Sequence, residues 1–308
     1  MIPVADGHCD FLYGMMEQDY DLGHPKKHQT IILDDMLQGG VLLQFFAVWI
    51  DMQLETDPLH QCITMIDCYY RMLEQYKEKL YRLTSNTPLK ENKIATVITL
   101  EGGEALHGSA SVLRILKKLG ITAVALTWND NNELSGAAMG RGNKGLSDIG
   151  KILIEEMNDN NIAIDVSHLS DEGIKDCFEI STQPIFASHS NCRDEYYSKR
   201  SLTDEQIKRI ADNGGTVGIN FYHKQLNAGF NTSIEQIVRH IEHCVNAGGI
   251  ECCAIGSDFD GMGTYPKDLK TSKDFPALID SLRKHGYKDS DIEKIMYKNL
   301  YRYISQFV

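Results

Sequence analysis

The sequence predicts an α/β protein of the (β/α)8 barrel type. Three observations carry that expectation. Eight short apolar runs recur along the 308 residues, each β-branched enough to be a buried parallel strand. Amphipathic segments with helical spacing lie between them. No GxGxxG or GxxxxGK[ST] follows an early run, which counts against the open doubly wound sheet, the nearest alternative. Seven prolines are spread thinly, with no low-complexity tract or linker, so residues 1–308 are expected to form one domain.

The elements follow in order. Ile2–Ala5 runs into Asp6-Gly7-His8-Cys9-Asp10. Val41–Trp49 is followed by Pro58–Leu83, where Ile63, Ile66, Tyr70, Leu73 and Leu80 fall near one helical face. Ile94–Leu100 ends on Glu101-Gly102-Gly103-Glu104, and Ala110–Leu119 repeats the helical spacing with Val112, Ile115, Leu116 and Leu119. Ala123–Leu126 opens onto Thr127-Trp128-Asn129-Asp130 and then the helical Leu146–Asn158. Ile162–Val166 ends on Ser167-His168. Pro184–Ala187 ends on Ser188-His189-Ser190, and Leu202–Asp212 follows with Thr203 as its N-cap. Thr216–Asn220 ends on Phe221-Tyr222-His223, and helix Thr232–Ala247 is stopped by Gly248–Gly249. Cys253–Ile255 ends on Gly256-Ser257-Asp258-Phe259-Asp260-Gly261, and Asp289–Phe307 closes the chain as a helix.

Composition narrows the function classes. Hydrophobic residues make up 42% and charged residues 24%, as in a soluble globular protein. Lys and Arg number 31 against 43 Asp and Glu, a net charge of −12, which argues against nucleic acid as a partner. The eight cysteines are scattered without a CxxC pair, so neither a disulfide scaffold nor a cysteine zinc site is expected. The start MIPVADGHCD does not read as a leader, and the longest apolar run, Val41 to Ile50, is too short to span a membrane. A reduced, cytoplasmic protein without a membrane partner is the expectation.

In a parallel barrel the corners after the strands share one face, where such folds place their sites. His8 and Asp10, two apart on a strand, point the same way and can grip one ion, while Cys9 between them points into packing. Glu101, His168 and His189 end other strands and converge on them. Imidazole and carboxylate suit Zn²⁺, and also Mn²⁺ or Co²⁺. Three histidines and two carboxylates exceed one tetrahedral ion. They suffice for two ions if a carboxylate bridges, with a hydroxide between them available at neutral pH. Asp258 is placed to move a proton; Asp260 competes for that role, though its position before Gly261 suits a turn better. Arg200, eleven residues after His189, is either a clamp for a substrate carboxylate or a solvated arginine like Arg193 and Arg209. The histidines outside the corners, His240 and His243 among them, are expected at the surface.

These corners resemble the membrane dipeptidase (renal dipeptidase) family of metallopeptidases. Asp-Gly-His-Cys-Asp, Glu-Gly-Gly-Glu-Ala-Leu, Asp-Val-Ser-His, Ala-Ser-His-Ser-Asn and Gly-Ser-Asp-Phe-Asp-Gly occur in the family's order through essentially the whole chain. The resemblance implies a metal-dependent-hydrolase TIM barrel with a dinuclear zinc centre. His8 and Asp10 would bind one zinc, His168 and His189 the other, and Glu101 would bridge. Asp258 would handle the proton, Arg200 would clamp the C-terminal carboxylate of a dipeptide, and Tyr222 would lie near the same pocket. The resemblance also implies a homodimer, and tolerance of a C-terminal D-residue and of β-lactam-like amides. One departure stands out. Where vertebrate members carry a histidine against the substrate carbonyl, alignment on Leu126-Thr127 puts Trp128, which donates one N–H and is never cationic. Asn129 or Asn131 is then expected to supply a donor. Two alternatives follow: a hydrolase of cyclic amides, lactones or phosphoesters on the same barrel, and a weakly active or silent metal-binding homologue.

Overall fold

A strand buried on both faces needs a partner on each edge, and this chain supplies those edges by closing a ring. The computed structural model describes residues 2–87, 90, 92–229 and 231–308. Its strands are β1 (Val4–Asp6), β2 (Val41–Trp49), β3 (Leu80–Arg82), β4 (Ile94–Glu101), β5 (Ile121–Ala125), β6 (Ala163–Asp165), β7 (Ile185–Phe186), β8 (Val217–Ile219) and β9 (Cys253–Ile255). They pair in parallel in the order β7-β6-β5-β4-β2-β1-β9-β8. The two ends meet where Ala187 N donates to Thr216 O (2.9 Å) and Gly218 N donates to Ala187 O (2.8 Å). The eight predicted runs are the eight strands of this nearly closed α/β barrel.

β3 lies outside that ring and corrects one expectation. The helix read over Pro58–Leu83 ends at Gln75, and Leu80–Arg82 pairs in parallel with Ile94–Thr96 of β4. The reason is an open edge. β4 engages β5 only from Ile98 onward, which leaves its first residues unpaired on that side. Tyr81 and Leu83 gain burial there against Ala95 and Val97.

The interior of the ring is filled by alternate residues. Ala5, Leu43, Phe45, Ala95, Val97, Ala123, Phe186 and Ala254 form one buried cluster with Tyr303 and Phe307 of the C-terminal segment. Large rings from β2 and β7 meet small alanines from the other strands, so the barrel is packed and not hollow. Thr99 and Glu101 continue the inward face of Ala95 and Val97 to the opposite end of β4. The helices pack outside. Asp204–Asp212 begins with a Thr203–Gln206 capping box, and Ile234–Gly248 ends at Gly249 with φ +84°. Helices Phe11–Glu17, Asp171–Ile180 and Phe275–Lys284 were not foreseen. The last predicted helix is divided into Asp289–Glu293, a π-turn segment Lys294–Lys298 and Asn299–Ile304. Among the described residues no helix is long and apolar enough to cross a membrane.

Candidate metal centre

The C-terminal ends of the strands surround a cavity of about 670 Å³. Glu101, the last residue of β4, projects into it and is 4% exposed. His8 and Asp10 arrive from a different geometry than expected. β1 stops at Asp6, and both residues sit on an extension tied down where Cys9 bridges Phe259. Cys9 does face packing, its Sγ 3.2 Å from Phe45 O. His168 follows β6 with φ +71°, and Asp258 follows β9 with φ +64°. Both sit in the left-handed region, which non-glycine residues enter at a cost that the surroundings must offset.

The polar atoms converge closely. His8 Nε2 lies 3.4 Å from Asp10 Oδ2 and 3.4 Å from Glu101 Oε2. Glu101 Oε1 lies 2.8 Å from His168 Nε2 and 3.4 Å from His189 Nε2. His168 Nε2 and His189 Nε2 are 3.0 Å apart. Neighbours decide the tautomers. His168 Nδ1 faces Asn129 Oδ1 at 3.1 Å, an acceptor, so Nδ1 carries the proton. His189 Nε2 accepts from Arg200 Nη2 at 2.9 Å, so its Nδ1 donates to Ser188 Oγ at 2.8 Å. Lone pairs of two imidazoles and a carboxylate therefore face one another across about 3 Å, an arrangement that calls for a cation between them. His8 Nε2, Asp10 Oδ1 and Glu101 Oε1 are buried without a hydrogen-bond partner among the described residues. Two triads, His8–Asp10–Glu101 and Glu101–His168–His189, each bring three ligand atoms within 4.8 Å, and Glu101 belongs to both. This donor set, nitrogen and carboxylate oxygen, fits zinc and its neighbours.

Electrostatics distinguish the two triads: burial opposes a charge on His8, but the Glu101 and Asp10 carboxylates outweigh it and raise His8 well above its ordinary value. Burial pushes His168 down to about 4, helped by the Arg200 cation, and drives His189 well below its ordinary value, so both imidazoles are neutral at pH 7. Burial opposes the Glu101 carboxylate, but the neighbouring His8 outweighs it, and Glu101 is held well below the usual range. Burial pushes Asp258 up to about 7, and the Asp10 and Glu101 carboxylates add to it. Asp258 accepts from Asn220 Nδ2 at 2.9 Å and joins His8 and His189 in a third group within 4.8 Å. Asp260, the competing choice, is engaged elsewhere: it accepts from Thr30 N (2.5 Å), Thr30 Oγ1 (2.8 Å) and Ile31 N (3.3 Å).

Arg200 is 6% exposed, not a solvated arginine. Its Nη1 donates to Ser190 Oγ at 2.9 Å, while its Nε has no partner among the described residues. Burial lowers it to about 10, still cationic at neutral pH. Trp128, Asn129 and Tyr222 all line the cavity. Trp128 stacks edge-on against Trp49 at 4.9 Å, and Asn129 is occupied by His168. Asn131 instead holds its own loop, donating to Arg141 O and accepting from Ala137 N. His240 corrects another expectation. It is fully buried, because Nδ1 accepts from Cys192 N and Nε2 faces Leu226 O.

Two residues that matter were missed. Asp6 accepts from Ser257 N (2.7 Å) and Ser257 Oγ (2.6 Å), tying the end of β1 to the turn that carries Asp258. Asp165 accepts from Ser167 N (2.9 Å) and Ser188 N (3.0 Å), tying together the turns that carry His168 and His189. A signal was present: an aspartate stands two residues before His8 and three before His168.

The family model "Membrane dipeptidase (Peptidase family M19)" matches residues 1–307. Dipeptidase 3 of Mus musculus is 29% identical over 318 residues, covering 99% of this chain; the chain spans 64% of that relative's length. An uncharacterised dipeptidase of Schizosaccharomyces pombe is 30% identical over 329 residues, covering 97% of this chain and 80% of the relative. Among solved structures, a metallopeptidase described as dipeptidase AC of family M19 superposes with a TM-score of 0.92 at 25% identity, covering 99% of this chain and 98% of its own. A metallopeptidase from Rhodobacter sphaeroides, liganded with a phosphinate mimic of the dipeptide L-Ala-D-Ala, gives 0.91 at 24% identity over 100% and 99% of the two chains.

Proposed function

Because the chain belongs to the membrane dipeptidase family, we propose that it is a dinuclear zinc dipeptidase that accepts a D-residue at the C-terminal position. The observation that carries this reading is Glu101, which belongs to both triads and, with His168 and His189, presents inward-facing lone pairs with no proton to separate them. His8 and Asp10 would hold one ion and His168 and His189 the other, with Glu101 common to both. When bound, such ions supply an ionised water at neutral pH and polarise the scissile carbonyl.

The chain's own residues do the rest. Asn129 and Ser188 fix the imidazole tautomers, which is the usual work of outer partners at a metal site. Arg200 offers a buried guanidinium for the terminal carboxylate of a dipeptide, and Tyr222 shares that part of the wall. Asp258, raised toward neutrality and steadied by Asn220, accepts a proton from the attacking water and returns it to the departing amine. Trp128 and Trp49 exclude solvent on the opposite side. The D-residue takes its lead from the phosphinate ligand of the Rhodobacter sphaeroides protein. A homodimer, a cytoplasmic setting and one domain over residues 1–308 complete the proposal.

A panel of L–L and L–D dipeptides, assayed with and without added zinc, tests it. Zinc-dependent cleavage of L–D dipeptides is expected. Cleavage of lactones or phosphoesters without any dipeptide would overturn it.

A further inference from the structure

We propose that the cavity wall after β8 is a cationic, hydrogen-bonding subsite for the C-terminal side chain, which makes dipeptides ending in Asp or Glu the preferred substrates. This rests on the dipeptidase reading above, with Arg200 on the terminal carboxylate.

Lys224 and Gln225 lie on the short helix His223–Leu226, directly after β8, and line the same cavity as Arg200. Gln225 is 7% exposed. Its Oε1 is sealed from solvent without a partner among the described residues, and its Nε2 hydrogen-bonds none of them. The Nε2 on the cavity wall keeps its N–H groups free to donate to an anionic ligand, whereas the sealed Oε1 can only accept and does not itself select a carboxylate. Lys224 is exposed, with its Nζ 5.8 Å from the Tyr222 ring centroid, and no ion pair holds it among the described residues. The other charges of the cavity are already engaged. Asp10, Glu101 and Asp258 belong to the clustered ligand groups, Asp260 accepts from Thr30 and Ile31, and Arg200 serves the terminal carboxylate. Lys224 is the cation left to select a side chain.

The opposite wall has a different chemistry. The rings of Tyr13, Trp49 and Trp128 meet edge to face at 4.7 and 4.9 Å. Arg200 sits in the connection between β7 and β8, so a dipeptide held by its carboxylate has its C-terminal residue beside Lys224 and Gln225 and its N-terminal residue toward the rings. A side-chain carboxylate would accept from Lys224 Nζ and Gln225 Nε2 together. A C-terminal lysine or arginine would meet Lys224 as a like charge.

The test is kcat/KM for Ala-Glu, Ala-Asp, Ala-Ala and Ala-Lys, each with the L and the D form of the second residue, on the zinc-loaded enzyme. The wild type is expected to prefer Ala-Glu or Ala-Asp over Ala-Lys by roughly ten-fold or more, from one charge-assisted contact. Lys224→Glu is expected to invert that ratio, and Gln225→Leu to narrow it. Turnover of Ala-Ala with no dependence on the charge of the second residue, or an unchanged ratio in Lys224→Glu, overturns this proposal alone. Failure to cleave any dipeptide, Ala-Ala included, overturns the dipeptidase reading and this subsite with it.

Discussion

A Cβ added to Gly261 would lie 2.1 Å from Asp10 Oδ2 and 2.5 Å from Asp258 Oδ1. No side chain fits there unless both of these carboxylates move. Gly261→Ala is therefore expected to keep the fold but weaken metal binding by about 10–100-fold, the range seen when a ligand's support is disturbed. Zinc affinity measured by competition with a chromogenic chelator checks this, and wild-type affinity in the variant would show that the carboxylates have room. At this scale the sequence was informative wherever chemistry is restricted to few residue types. His8, Asp10, Glu101, His168 and His189 could be picked out because each follows an apolar run, and the structure brings them together. Asp6 and Asp165 had only their places two and three residues before His8 and His168 to mark them, since a buried aspartate bonding backbone N–H groups otherwise reads in sequence as a turn residue. Lys224 and Gln225 looked like any polar segment after a strand.

Helix Ile234–Gly248 is joined to the segment after His189 through His240, whose Nδ1 accepts from Cys192 N at 3.2 Å. Protonation of Nδ1 would break that bond, and burial accordingly pushes His240 down to about 4. An unfolded histidine titrates near 6.5, so between about 6.5 and 4 the unfolded chain binds a proton that the folded chain does not. The contribution of His240 is thus fully present above about pH 6.5. It is lost progressively as pH falls toward 4, amounting to about 3 kcal/mol at the lower end. Chemical denaturation of the wild type and His240→Gln at pH 7 and pH 5 checks it: the wild type is expected to lose more stability than the variant. Parallel curves would place the acid sensitivity elsewhere. Elements were legible when their burial was two-sided, as in β2 and β4, whose apolar runs have no polar face. β3 was not, because three residues carry no period and only the free edge of β4 decides their fate. Helix Asp171–Ile180 was missed because its apolar face rests on few residues, with Ile174 and Cys177 the buried large ones.

The whole molecule depends on how the ring is closed at the end away from the site. Tyr303 is fully buried there, 4.6 Å from the ring of Phe186 and 5.1 Å from that of Phe307, and its hydroxyl donates to Pro184 O at 2.9 Å. Tyr303→Phe removes one hydrogen bond and is expected to cost about 1 kcal/mol. Tyr303→Ala also opens a cavity and is expected to cost about 3–5 kcal/mol. Urea unfolding of both variants measures the gap, and equal losses would mean that the ring does not pack the barrel floor. Barrel closure itself was legible only as a strand count, since the contact between Ala187 and Val217 depends on stagger that a sequence does not display.

At the same scale, the proposed dipeptidase depends on one carboxylate, Glu101, shared by two metal ions. The direct measurement is a titration of chelator-stripped enzyme with zinc, following bound metal and L–D dipeptide hydrolysis together. Saturation at two ions per chain in the wild type is expected, with activity rising to its maximum as the second ion binds and neither occurring in Glu101→Ala. Full activity in the stripped enzyme, or two bound ions with no dipeptide cleaved, would contradict it.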